Sequence, residues 1–222
     1  MKIIKLTATL VIYACILYGA WLMLVLTLPY LAFKSNVDFL ITKQSVYPLP
    51  HWKASFYIHV FTGLLVLVPG LIQFNRYIIR RHKRLHRISG YIYVTCVLGI
   101  TGPAGLIMAF YANGGLTARI SFVLLALLWI GFTVLALRAV LQKRFVIHGE
   151  WMVRSYALTL SALTLRFYTY VIGYSEIDIS PLHEYILVSW LSWTLNLLVA
   201  EILIRRGWVK KTITAAQPIT KQ

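Results

Sequence analysis

The chain has 222 residues, of which 59% are hydrophobic and 13% charged, and its formal net charge is +16. A soluble domain of this length does not need so many apolar residues, so the composition excludes an ordinary globular domain and indicates that much of the chain faces lipid. The basic excess does not indicate nucleic-acid binding, because most Lys and Arg residues lie in short connections between apolar runs.

Six apolar runs are long enough to cross a bilayer, which takes about 20 residues at 1.5 Å each. The first run follows a basic start and could be taken for a signal peptide, but it is too long for that role and has no small-residue cleavage site. The sequence therefore predicts an all-α fold, a six-transmembrane-helix bundle that forms one integral membrane domain over residues 1–211. The predicted spans are 6–33, 54–74, 88–111, 120–141, 151–174 and 185–204.

The basic residues alternate between successive connections. Residues 75–87 contain six Lys and Arg residues, whereas residues 113–117 contain no charged residue. The next connection again carries Lys143 and Arg144, and the segment after the sixth span is also basic. By the positive-inside rule, these basic connections lie in the cytoplasm, and both the N and C termini are cytoplasmic.

Two further segments are polar. The connection 35–53 is the longest on the outer side and contains Pro48 and Pro50, so it either packs over the bundle or lies along the membrane interface. Residues 212–222 show no apolar periodicity and are predicted to be a disordered cytoplasmic tail.

Charged groups inside a membrane are costly unless they are paired or hydrated, so each one is a candidate functional residue. Arg154 in the fifth span and Glu201 in the sixth lie at similar depths, which predicts an ion pair; a proton or ligand role is the alternative. Asn196 is a candidate for an interhelical hydrogen bond. Arg166 has no acid at a matching depth, so it either binds an anionic partner or reaches toward the outer headgroups.

Three histidines lie near span ends. His86 and His148 begin two spans that both run outward, so they lie at one level near the cytoplasmic face. Two imidazoles at one depth suit the axial ligands of haem, with nearby Arg side chains for its propionates, although rim histidines are also ordinary interface residues. His59 lies near the outer face, and the positions that follow it at helical spacing are small or polar, which suits a close helix contact or a flat ligand.

Four motifs stand out when these residues are placed in their local sequence: His59-Val60-Phe61-Thr62-Gly63, Leu85-His86-Arg87, His148-Gly149-Glu150-Trp151-Met152-Val153-Arg154 and Asn196-Leu197-Leu198-Val199-Ala200-Glu201. Together they resemble a family of bacterial multi-pass membrane proteins known as a domain of unknown function. The resemblance covers roughly residues 54–206. It implies a multi-pass fold in a bacterial inner membrane and brings no established activity.

A second resemblance is to the di-haem b-type cytochromes of the ascorbate-reducible and ferric-reductase kind, whose helix bundles hold haem between paired histidines. Only His86 and His148 match that arrangement. His59 has no histidine opposite it in the fourth span. The second haem site of those cytochromes is therefore not supported here.

Three hypotheses follow. The first is a membrane protein that binds haem b or quinone at the cytoplasmic end of the bundle for electron transfer, with His86 and His148 contacting the cofactor, Arg154 supplying positive charge and Glu201 pairing with it or relaying protons. The second is a small transporter or channel in which Arg166 and His59 face a hydrated cavity. The third is a non-catalytic assembly subunit. The expected environment is the lipid bilayer, without nucleic acid, and the sequence specifies neither a protein partner nor an enzymatic activity.

Overall fold

The computed structural model describes residues 2–175 and 178–214, which are largely helical and contain no strand. The prediction of an all-helical fold is confirmed. The helices in chain order are α1 Lys2–Thr27, α2 Pro50–Thr62, α3 Leu64–Gln73, α4 Arg76–Arg81, α5 Lys83–Thr95, α6 Gly102–Ala109, α7 Gly115–Leu141, α8 Phe145–Thr159, α9 Ser161–Tyr174, α10 Pro181–Arg205 and α11 Trp208–Thr214.

Five helical segments in the described part of the chain are long and apolar enough to cross a membrane. They correspond to the first, second, third, fourth and sixth predicted spans, so the multi-pass membrane class is also confirmed. The segments are Thr9–Ala32, Pro50–Gln73, Lys83–Ala109, Gly115–Leu141 and Pro181–Arg205.

The remaining predicted span, 151–174, is divided at Leu160 into α8 and α9. Helices of 15 and 14 residues are only about 22 Å long, too short for either to cross the hydrocarbon layer alone. At the break, the Ser161 hydroxyl donates to the Leu158 carbonyl at 2.6 Å, and the Leu163 N–H bonds the Leu160 carbonyl three residues back. These local bonds replace part of the regular α-helical ladder, which an apolar run alone does not reveal.

The third span contains a π-helical segment, Cys96–Thr101, between α5 and α6. Pro103 follows it and has no N–H to donate, which favours a local departure from α-helical bonding. The carbonyl of Thr101 accepts a hydrogen bond from Nδ1 of His59 at 2.9 Å, and the hydroxyls of Thr62 and Thr101 are 2.7 Å apart. His59 therefore joins the second span to the third, and its Nδ1 must carry the hydrogen because a carbonyl can only accept.

A buried polar cluster joins α5, α7 and α8. The Tyr93 hydroxyl lies 2.7 Å from the Ser155 hydroxyl and 2.8 Å from that of Thr159. Trp129 donates its indole N–H to Thr159 at 3.0 Å, and Thr133 lies 2.7 Å from Ser155. Since unpaired polar groups are costly inside a bilayer, this cluster holds the three helices in one arrangement.

The two segments beside the spans pack onto the bundle. Within the connection 35–53, Leu40 is completely buried in one cluster with Trp52 and Phe56, so that connection packs over the bundle. At the other end, α11 runs to Thr214, beyond the start of the predicted tail, and buried Thr212 accepts a hydrogen bond from Arg76 at 3.1 Å. Residues 215–222 of that tail lie outside the described residues.

Helices α3 and α8 approach each other closely at Gly70 on α3, which lies against the ring of Tyr156 on α8. A Cβ atom at position 70 would be 2.0 Å from Tyr156 Cε2. The tyrosine cannot move away without cost, because its hydroxyl donates to the Leu67 carbonyl at 3.0 Å. Only glycine allows this approach.

We expect Gly70→Ala to lower the free energy of unfolding by about 1–3 kcal/mol, because overpacking must displace the Tyr156 ring. Gly131→Ala is the matched control, since a Cβ atom there meets nothing within 4 Å. Thermal unfolding of the purified variants in detergent measures the difference. Equal melting temperatures for the two variants would contradict the packing argument.

Candidate functional site

A cavity of about 380 Å³ lies at the end of the bundle where α5 and α8 begin. Both His86 and His148 line it, so the structure brings these two sequence-predicted residues to one site. Lys83 and Arg87 also line the cavity. The rest of the wall is mainly apolar and is formed by side chains from α3, α8 and α11, among them Phe74, Met152, Val153, Trp208 and Val209.

Helix α11 forms one side of this cavity. It packs directly on α8 at Gly149, where a Cβ atom would lie 2.6 Å from Val209 Cγ1. The ring centroids of Trp208 and Phe74 are 6.2 Å apart. Gly207, with φ +67°, makes the turn that brings α11 back toward the bundle. Our sequence analysis did not identify α11 as part of the site, although Trp208, Val209, Thr212 and Ile213 share the spacing of one helical face.

His148 is held in a defined orientation. Its Nδ1 lies 2.8 Å from the carbonyl oxygen of Ala136 on α7, so Nδ1 carries a hydrogen and donates it. In the neutral ring, the other nitrogen, Nε2, is then an acceptor. A backbone carbonyl that fixes one imidazole nitrogen and leaves the other for a ligand is the usual arrangement at binding and metal sites.

His86 differs from His148, because its ring nitrogen Nδ1 has no hydrogen-bond partner among the described residues. Its Nδ1 is buried and makes no hydrogen bond; Trp52 Nε1 is the one other such buried atom among the side chains described, those of residues 7, 9–175 and 178–214. The backbone carbonyl of His86 is satisfied by Gln73 Nε2 at 2.8 Å. An unpaired buried nitrogen costs about 1–3 kcal/mol, so His86 Nδ1 is a polar atom for which the described part of the protein supplies no partner.

Arg154 and Glu201 lie in contact, away from the cavity wall. Arg154 donates to the two carboxylate oxygens of Glu201 at 2.5 and 3.0 Å, and its guanidinium stacks 4.5 Å from the ring of Trp151. The side chains are 17% and 37% exposed, respectively. Arg154 is thus engaged by a carboxylate and an aromatic ring, and it is not among the residues that line the cavity.

The other sequence-predicted polar residues lie outside the cavity. Asn196 donates to the Ala157 carbonyl and to the Thr164 hydroxyl, each at 3.1 Å, so it links α10 to both α8 and α9. Arg166 is exposed on α9 and donates to the Ala162 carbonyl of its own helix at 2.8 Å. His59 is held by Thr101 in the other half of the bundle.

No group of three or more His, Cys, Asp or Glu side chains in the described ranges is placed to hold a metal ion. A haem iron needs only two axial ligands from the protein. The absence of such a group therefore bears on bare metal ions and does not bear on haem.

The chain was compared with known families, curated proteins and solved structures. A family model described as "Predicted membrane protein (DUF2306)" matches residues 56–204. This region contains all four motifs that carry the sequence resemblance, from His59 to Glu201, but ends before α11. No curated protein and no solved structure matches the chain significantly.

We expect Arg154 and Glu201 to be energetically coupled by about 1 kcal/mol, because their contact is bidentate and half-buried. A double-mutant cycle with Arg154→Met and Glu201→Gln, measured as free energies of unfolding in mixed micelles, gives this coupling. A control cycle pairs Glu201→Gln with Arg138→Met, because Arg138 is exposed and forms no salt bridge with any described residue. A coupling no larger than that of the control would show that the contact contributes nothing to stability.

Proposed function

The chain belongs to the DUF2306 family of predicted membrane proteins, and we propose that it binds a flat, lipid-soluble redox cofactor of the quinone type in the cavity between His86 and His148. The single observation that carries this proposal is the unpaired, buried Nδ1 of His86 beside a mainly apolar cavity whose second histidine is held in a fixed orientation. The proposed role in electron transfer follows from the cofactor class.

The volume and the lining of the cavity suit a small ring. Its volume of about 380 Å³ is near the lower end of the range for small-molecule sites, about 300–1,000 Å³. Phe74, Met152 and Trp208 offer apolar and aromatic contacts to a ring face. A ring with oxygen substituents at opposite edges places one oxygen near each imidazole.

The hydrogen positions favour the reduced form of such a cofactor. Because Nδ1 of neutral His148 donates to Ala136, its Nε2 can only accept a hydrogen bond. A quinol offers an O–H to that nitrogen, whereas a quinone carbonyl does not. Lys83 and Arg87 supply positive charge at the same wall, the role that our sequence analysis gave to Arg154.

Haem b is a second candidate, favoured by one observation. Two histidines from different helices line the same cavity, and one of them is oriented by a backbone carbonyl, as haem-ligating histidines are. His86 and His148 would hold the iron, and Lys83 and Arg87 would hold the propionates. Bound haem would supply one-electron transfer. We place haem second because the cavity is small for a macrocycle.

The orientation that we propose has six crossings, with α8 and α9 together forming the fifth. Both termini are then cytoplasmic, and the histidine-lined cavity lies at the cytoplasmic face of a bacterial inner membrane. The support is the positive-inside rule, because the connections at this end carry the basic runs, including Arg80, Arg81, Lys143 and Arg144.

The transporter and assembly-subunit alternatives rank lower. His59 is occupied by the Thr101 carbonyl, and Arg166 donates to its own helix, so the two groups of the transporter hypothesis already have internal partners. An assembly subunit gives no reason for an unpaired imidazole beside a cavity. The binding experiment below separates that alternative from cofactor binding.

We expect purified protein in detergent to bind a short-chain quinol more tightly than the matching quinone, as measured by titration calorimetry. His86→Leu should weaken quinol binding about tenfold, because one hydrogen bond of about 1.4 kcal/mol is lost. The same variant should keep or raise the melting temperature, since the replaced Nδ1 has no partner in the free protein.

His82→Leu is the matched control, because His82 is an exposed imidazole four residues earlier and does not line the cavity. An absorption spectrum of the same preparation tests haem, whose Soret band should vanish in the His86 variant if haem is the ligand. Absence of both quinol binding and a Soret band, even after haem supplementation, would refute the proposal and favour an assembly role.

Reporter fusions should show the proposed orientation. Alkaline phosphatase, which is active only outside the cytoplasm, should be active when fused after Asn113 and inactive when fused after His82 or Lys143. Activity in cells expressing each fusion at equal levels gives the result. Active fusions at the two basic connections would reverse the assignment and place the cavity on the outer side.

A further inference from the structure

A second cavity, of about 280 Å³, lies at the opposite end of the bundle. It forms where the 3₁₀ helix Asp38–Lys43 meets the loop before α7. We call it the Lys43 cavity. In contrast to the histidine-lined cavity, its wall is polar and basic, and the residues relevant here are Lys43, Ser45, Asn113 and Arg119.

Lys43 is almost completely buried, with 3% of its surface exposed. Its ammonium donates to the Tyr111 carbonyl at 2.5 Å and to Asn113 Oδ1 at 2.6 Å. Both acceptors are neutral, and an ammonium has three donors, so one donor and the full positive charge remain. Among the described side chains, those of residues 7, 9–175 and 178–214, the one salt bridge joins Arg154 to Glu201, so Lys43 has no carboxylate partner there. A buried charge without a counterion is strongly disfavoured.

A second cation and a helix terminus face the same cavity. Arg119 lies one turn inside α7 and lines the wall. No side chain caps the start of α7, and the first N–H groups of a helix have no partner within it. Gly114, with φ +84°, precedes the helix, and a Cβ atom there would be 2.8 Å from Tyr185 Cδ1. The turn therefore requires glycine, and the backbone at this wall carries no covering side chain.

We propose that the Lys43 cavity binds a phosphate-type oxyanion, supplied either by the headgroup of an anionic lipid or by free phosphate. Such a group carries one to two negative charges and several strong acceptor oxygens. These match the two cations, the hydroxyl of Ser45 and the start of α7. The anion would neutralise the buried charge of Lys43, which no described carboxylate does.

The protonation of Lys43 agrees with this assignment. Burial, together with the nearby charge of Arg119, lowers the pKa of Lys43 to about 8. A bound anion has the opposite effect, because it favours the charged form of the ammonium. The cavity therefore gains in electrostatic stability when an anion is present.

Two arms test the proposal and distinguish the sources of the phosphate group. In the first, delipidated protein in a neutral detergent is titrated with inorganic phosphate, and the rise in melting temperature gives the affinity. In the second, protein in phosphatidylcholine nanodiscs with a small fraction of phosphatidylglycerol is released for native mass spectrometry, and the retained phosphatidylglycerol is counted. A response in the first arm indicates free phosphate, and retention in the second alone indicates a lipid headgroup.

The variants are Lys43→Met and Arg119→Gln, and each should weaken the observed binding at least tenfold. Arg119 is exposed, so its variant tests the proposal even if Lys43→Met fails to fold. Lys53→Gln is the control, because Lys53 is an exposed cation at the same end that stacks on Tyr47 and does not line the cavity. The proposal is overturned if wild-type protein binds neither probe, or if Lys53→Gln weakens binding as much as Arg119→Gln.

Discussion

Polar groups inside a hydrocarbon layer must find their partners within the protein, and this requirement organises the whole bundle. In the cluster around Tyr93, five side chains from three helices satisfy one another. His59 pairs with a carbonyl of the π-helical segment, and Asn196 with groups on two neighbouring helices. Against this background, an unpaired group is informative. His86 Nδ1 and the uncompensated charge of Lys43 are therefore the observations on which the two binding proposals rest.

The sequence predicted the depth of the polar residues along the helices better than the direction in which their side chains face. Depth follows from counting residues at 1.5 Å each, which was enough to place His86 with His148 and Arg154 with Glu201. The facing direction depends on rotation and packing. In the structure Glu201 and Trp151 engage Arg154, and its role at the histidine site stays a prediction.

Four features were beyond sequence reasoning, for three different physical reasons. The break at Leu160 and the π-helical segment arise from local hydrogen bonding inside long, mainly apolar runs, where periodicity carries little signal. Helix α11 is short, and its apolar face was masked by the basic residues beside it. The burial of Lys43 depends on a loop that folds onto the bundle, and loop conformations are set by tertiary contacts with Tyr111 and Asn113.

The π-helical segment at Cys96–Thr101 also determines how the two ends of the third span are related. A π turn accommodates one residue more than an α turn, so the helix beyond it is rotated by about 100° relative to an uninterrupted helix. This offset allows His86 to line one cavity while Thr101, on the far side of the segment, receives His59. Removing a single residue from the segment would restore a continuous α-helix. His86 could then not line its cavity while Thr101 still accepts the hydrogen bond from His59. The extra residue thus sets the rotation of α6 about the helix axis relative to α5.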